Sequence, residues 1–301
     1  LFVAILLMRF SGQGMMSHTA STTISRYFTN TRGKALSTGW FGLSTAEFLM
    51  PVTIIYALTI MDWRNIWIII SVAIILFLPM VSYFLVKEVK LSSREDGNEV
   101  IKENIKQWKR SEVIKDYRFI IIALNMLAMP WIATGIFVYQ SFILTAKNWG
   151  EYTIAQSFMV YSIASVLTLF VAGYLIDKFT SRKLLIYMNI PFLISLLILI
   201  YFQSPVSSFF FLGLIGVSNG FANVLGSSTW AELYGVKFIG SIKALTTALM
   251  VFSTAFGTAF FGLMIDFDFS IEQISMISGG YILISLILLF LIKNKLNPTI
   301  L

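Results

Sequence analysis

The chain has 301 residues, of which 57% are hydrophobic, 15% aromatic and only 12% charged, and its mean hydropathy is +0.81. A soluble domain carries about a quarter charged residues, so a water-facing surface is excluded and the solvent must be lipid. With no Cys and a single His, disulfides, thiolate metal sites, Cys nucleophiles and a histidine-rich metal centre are excluded too, and no cofactor is expected.

An apolar run of about 20 residues crosses the hydrocarbon core as a helix. In chain order such runs fall at 1–28, 35–58, 65–86, 119–143, 153–176, 184–202, 207–230, 242–265 and 274–292, nine in all. The breaks between them carry turn chemistry: Asn30 to Gly33, Met61 to Arg64, Asn148 to Gly150, Asp177-Lys178, Gln203 to Pro205, Tyr234-Gly235 and Asp266 to Asp268. A β-barrel is excluded, because the runs are too long and lack period-2 alternation. The expected fold class is an all-α membrane protein. Residues 1–86 form a first helical part, 87–118 a polar linker and 119–301 a six-helix second part.

The net charge of +7 is a matter of sidedness. Arg26, Arg32 and Lys34, nine residues from Lys87 to Arg118, then Lys178, Arg182, Lys183, Lys237, Lys243, Lys293 and Lys295 all fall in odd-numbered connections or the C-terminal tail. Even-numbered connections hold Arg64 and Lys147 alone, and Arg9 lies inside the first run. Basic residues accumulate on the cytoplasmic side, so the odd connections and the C-terminus are expected in the cytoplasm of a cell (inner) membrane protein. The linker also carries seven acids, which suits a solvated loop beside lipid rather than a nucleic-acid arm. Trp63, Trp149 and Tyr152 read as interfacial anchors.

Lys34-Ala35-Leu36-Ser37-Thr38 recurs as Lys243-Ala244-Leu245-Thr246-Thr247, 209 residues later, and each copy opens a span. That register points to two parallel repeats. The fourth run would open the second repeat, and its first-repeat partner would fall upstream of Leu1, leaving room for three further helices. Arg9-Phe10-Ser11-Gly12-Gln13-Gly14 resembles the arginine- and glycine-bearing element in the fourth helix of major facilitator transporters. Tyr27-Phe28 with Arg32 to Leu36 resembles the loop that follows it. Gly173 to Phe179 with Arg182-Lys183 resembles the family's gating loop between helices eight and nine. The resemblance runs from the family's fourth helix to its twelfth, nine of twelve, and is nearest to the bacterial monocarboxylate and oxalate/formate branch. Three positions depart from the pattern. Thr180 replaces a usual Gly, Thr258 stands where Pro is expected, and the antiporter element of the fifth helix is reduced to Pro51.

Ionisable groups inside a bilayer need a partner or a purpose. His18 lies ten residues from Phe28, about 15 Å along its helix, and Glu47 lies about 16 Å into the next, antiparallel one. They share a depth, so a His18–Glu47 pair is open either as a proton site or as a bond between helices. Arg9 sits about 28 Å from Phe28 and roughly 180° around from His18. The resemblance implies substrate-anion attraction or proton coupling for it, and a structural bond to backbone carbonyls is the other reading. Asn125, Tyr139 and Gln140 are polar groups within the fourth run. Asn219, Asn223 and Ser227 recur at i, i+4 and i+8, a polar stripe that suits a cavity wall or interhelical packing. Gly213, Gly216 and Gly220 read as close-packing positions. By resemblance, Asp177, Lys178 and Arg182 form a gate.

What the resemblance implies is a monomeric secondary transporter working by alternating access, with a small organic anion and protons as partners and no nucleic acid. Two other classes stay open: a non-transporting membrane fragment, sensor or scaffold, and a membrane-embedded enzyme. The enzyme would need a nucleophile with its base, or a metal cluster, at one depth. No G-x-x-x-x-G-K-[ST] loop is present for ATP.

Overall fold

The computed structural model describes residues 3, 4, 7, 9–28, 31–88 and 105–299, and among them the chain is helical with no β-sheet. We label the α-helices α1 (Ser17–Tyr27), α2 (Arg32–Leu58), α3 (Trp63–Glu88), α4 (Tyr117–Ala128), α5 (Thr134–Val138), α6 (Gln140–Lys147) and α7 (Glu151–Phe179). They continue with α8 (Ser181–Met188), α9 (Ile190–Tyr201), α10 (Ser207–Tyr234), α11 (Ile239–Asp266) and α12 (Ile271–Ile292).

Among the described residues, seven helical stretches are long and apolar enough to cross a bilayer: Trp63–Phe84, Tyr117–Val138, Gln156–Phe179, Ser181–Tyr201, Ser207–Tyr234, Ile239–Asp266 and Ile271–Lys295. They coincide with the last seven of the nine apolar runs. The second run is the continuous 27-residue α2. The first is π-helical over Arg9–Met16 and α-helical from Ser17 onward.

Local chemistry sets the helix ends. The Asp116 carboxylate accepts from the Arg118 backbone N–H at 2.9 Å and opens α4. Ser270 and Gln273 form a reciprocal capping box at the start of α12. Asn148, at φ 51°, ends α6 in the left-handed conformation that Asn tolerates. Pro130 has no N–H to give, and the helix passes through it as a π turn, Met129–Ala133, instead of breaking.

In lipid the helices gain little from burying apolar surface, so they associate through small residues and polar contacts. A Cβ on Gly216 or Gly220 of α10 would strike the carbonyl oxygens of Tyr161 or Ser165 on α7, which explains why these positions are Gly. Serines dominate the buried polar side chains, as in the Ser157–Ser208 contact of 2.7 Å between α7 and α10. The outer surface is apolar instead. Phe252 is 77% exposed and Leu291 70%, and α3 turns almost all of its side chains outward. Such a surface fits acyl chains and not water. Trp149 differs from its interfacial reading: it is buried, and its indole N–H donates to the Gln203 carbonyl at 3.0 Å.

Candidate functional site

Eight helices and a π turn contribute to a cavity of about 380 Å³. From α1 come Ser17, His18 and Ser21, and from α2 Trp40. Lys243, Thr246, Thr247, Met250 and Thr254 of α11 follow at steps of three and four, one face of a helix. On α10 the stripe Asn219, Asn223 and Ser227 lines the same space, followed by Trp230. Pro130 and Ala133 of the π turn close another wall. Residues on both sides of the linker therefore build one cavity, apolar in its walls with a few convergent polar groups, which is the usual make-up of a small-molecule site.

The polar groups are unevenly satisfied. Asn219 donates its side-chain N–H to Ser165 Oγ at 3.1 Å, tying α10 to α7. His18 Nδ1 is buried with no hydrogen-bond partner among the described residues. Arg9 and Glu47 are placed by their backbones alone, in the π segment before α1 and in α2; their side chains lie outside the described residues.

Three expected site residues stand away from the cavity lining. Asn125 is fully buried between helices, where its side-chain N–H donates to Ser285 Oγ at 3.3 Å. Its own carbonyl accepts from Asn189 at 2.6 Å. Tyr139 sits at the junction of α5 and α6, with its hydroxyl against Gly262 of α11. Gln140 lines a separate small void beside Ile143 and Phe211, with its carbonyl oxygen unpartnered among the described residues.

At one end of the bundle the charges interlock. Asp177, near the end of α7, accepts from the backbone N–H of Gly33 at 2.7 Å and of Lys34 at 3.1 Å. Its carboxylate thus caps the positive end of α2, binding a helix before the linker to one after it. Gly33 and Gly173 make that contact close: a Cβ on Gly33 would collide with the Gly173 carbonyl, and one on Gly173 would lie 2.7 Å from Ser37 Oγ. Arg182 does not meet Asp177 in this arrangement. Its guanidinium donates to the Leu296 carbonyl at 2.7 Å and lies 3.6 Å from Glu232. Glu232 in turn accepts from the Ser181 backbone N–H at 3.0 Å, capping α8. Lys178 is exposed over the Phe179 ring. Asp116 completes the network, pairing with Arg118 at 2.8 Å and accepting from the Tyr234 hydroxyl at 3.1 Å. Thr180, between α7 and α8, has φ 75° and ψ 147°, a conformation natural to Gly.

Sequence reasoning passed over two residues. Lys243 was counted among the basic residues of a loop, yet it is 4% exposed and lines the cavity. Its place in the repeated Lys-Ala-Leu element was the available signal. Glu232 lies beyond the expected end of its run, and its helix-capping role depends on α8 folding back onto α10.

This fold, a bundle of membrane-crossing helices around a central cavity with a charged latch at one end, belongs to a class of multi-pass membrane carriers. The chain matches the Major Facilitator Superfamily over residues 1–258 and again over 120–300, and it belongs to that family of secondary transporters. The second match starts where the linker ends. No curated protein matches the chain.

Proposed function

We propose that the protein moves a small organic anion, such as a monocarboxylate, by alternating access coupled to protons, as a symporter. One observation carries this reading: the 380 Å³ cavity is walled by helices from both sides of the linker, so rocking one set against the other changes which end is open. In this reading the Asp177 cap on α2 is the contact that holds one end closed, and the basic residues gathered there support a cytoplasmic position for that end and the C-terminus. Glu47 and His18 supply titrating groups at a common depth, with Arg9 on the same pathway.

Uptake of radiolabelled lactate into proteoliposomes under an inward proton gradient tests the proposal. Glu47→Gln abolishes gradient-driven uptake and leaves lactate exchange measurable. Undiminished gradient-driven uptake in that variant removes Glu47 from the proton pathway.

A further inference from the structure

Among the described residues two lysines are buried, and they are treated oppositely. Lys147, 1% exposed, is neutralised by Glu272 at 2.6 Å. Lys243, 4% exposed, has no carboxylate partner among the described residues. Among the described residues its ammonium reaches only the Ser25 hydroxyl, at 3.5 Å. Among the described residues the charge that acts on it is Arg32, which is basic as well. An ammonium withdrawn from water without a counter-ion destabilises the fold, and a neighbouring base adds to that.

The place of Lys243 on the cavity wall supplies the reason. We propose that Lys243 is the seat for the substrate's anionic group: a small carboxylate whose oxygens take the ammonium as their counter-ion. Thr247, one turn further along α11, lines the wall beside it and can donate to the same anion, while the Thr246 hydroxyl donates to the Lys243 carbonyl at 3.1 Å. His18, whose Nδ1 is unpartnered among the described residues, lines the cavity from α1. One ammonium matches one carboxylate. Trp40 and Trp230 line the remaining wall, giving the seat apolar flanks for a short carbon chain. The anion thereby joins α11 to α1 and replaces the missing acid. This inference rests on the transport reading for its purpose but not for its test.

Binding is measured on the full chain in nanodiscs with no gradient, by following tryptophan fluorescence against sodium lactate, sodium chloride and glycerol. Lactate gives a saturable change, while glycerol and chloride at equal concentration give none. Lys243→Met weakens lactate roughly 10- to 100-fold, the loss expected for a hydrogen bond to a charged group. Lys243→Arg keeps binding within about tenfold, because the charge remains. The thermal midpoint of Lys243→Met equals or exceeds that of the parent, since an uncompensated buried charge has gone; a merely structural lysine would lower it. Unchanged lactate affinity in Lys243→Met overturns the assignment, as does equal binding of chloride or glycerol, or no binding of lactate by the parent. A protein that binds lactate through Lys243 yet accumulates none fails as a transporter while the seat stands.

Discussion

Thr180 carries the clearest local conflict between residue and backbone. A β-branched side chain at φ 75° and ψ 147° crowds its own backbone, and its buried hydroxyl has no partner among the described residues. Such a conformation costs about 1–3 kcal/mol. Thr180→Gly is expected to stabilise the protein by roughly 1 kcal/mol, seen as a higher midpoint of thermal unfolding in detergent. A lower midpoint would show that the threonine is not strained. The departure from the family's glycine was visible in the sequence; its cost needed the dihedral angles. Elsewhere at this scale, spacing alone put Asn219, Asn223 and Ser227 on one face, because a helix repeats every 3.6 residues. It could not separate Asn219 from Asn125, since a mid-helix Asn serves a cavity and an interhelical bond equally well. Lys243 was hidden for a similar reason: at the fifth residue of α11 it reads as a loop cation, whereas α1 packs against it with Ser25 Oγ 3.5 Å from its ammonium. In the linker, Glu112 accepts from Lys106 and from the Lys109 backbone N–H, which holds its carboxyl below the ordinary range. The bonds of a depressed carboxyl are intact above its unfolded value of 4.5 and are lost only as pH falls through the lower folded value. Changes in uptake between about pH 5.5 and 8 therefore do not come from Glu112.

At the scale of elements, composition and turn chemistry located the helices because each break carries residues that stop a helix in any setting. Asn148, Tyr234-Gly235 and the Asp266–Asp268 turn all end helices where expected. The π segments at Arg9–Met16 and Met129–Ala133 were not readable, since an i→i+5 bond leaves no periodic mark in so short a stretch. Both adjoin the cavity-lining faces, a common position for π bulges. The crossing of α2 and α7 shows what the glycines permit. Gly173→Val places atoms against Ser37 Oγ and the Gly33 carbonyl. Overpacking of this kind costs about 1–3 kcal/mol, so the arrangement closed at this end loses roughly five- to 150-fold in population. Lactate uptake by Gly173→Val is expected to fall by a similar factor, and the unfolding midpoint to fall with the arrangement that the side chain destabilises. Uptake equal to that of the parent would mean that closure at Gly173 is not part of the cycle.

At the scale of the molecule, an expected sidedness was legible, with 19 of 22 basic residues on one side of the expected spans. The pairing inside that charge was not. Asp177 and Arg182, five residues apart, engage different helices, one reaching back across the linker to α2 and the other forward to the C-terminal segment. That division gives the end of the bundle two jobs: Arg182, Glu232 and Asp116 hold the second set of helices together, and Asp177 alone among them joins it to α2. The account therefore stands on the cavity being reached from each end in turn. Because the chain has no Cys, Thr247→Cys gives one labelling site on the cavity wall. A membrane-impermeant thiol reagent, applied to right-side-out and to inside-out vesicles, measures its access from each face. Labelling from both faces, slowed in each case by lactate, is the expected result; labelling from a single face, with or without lactate, would contradict the account.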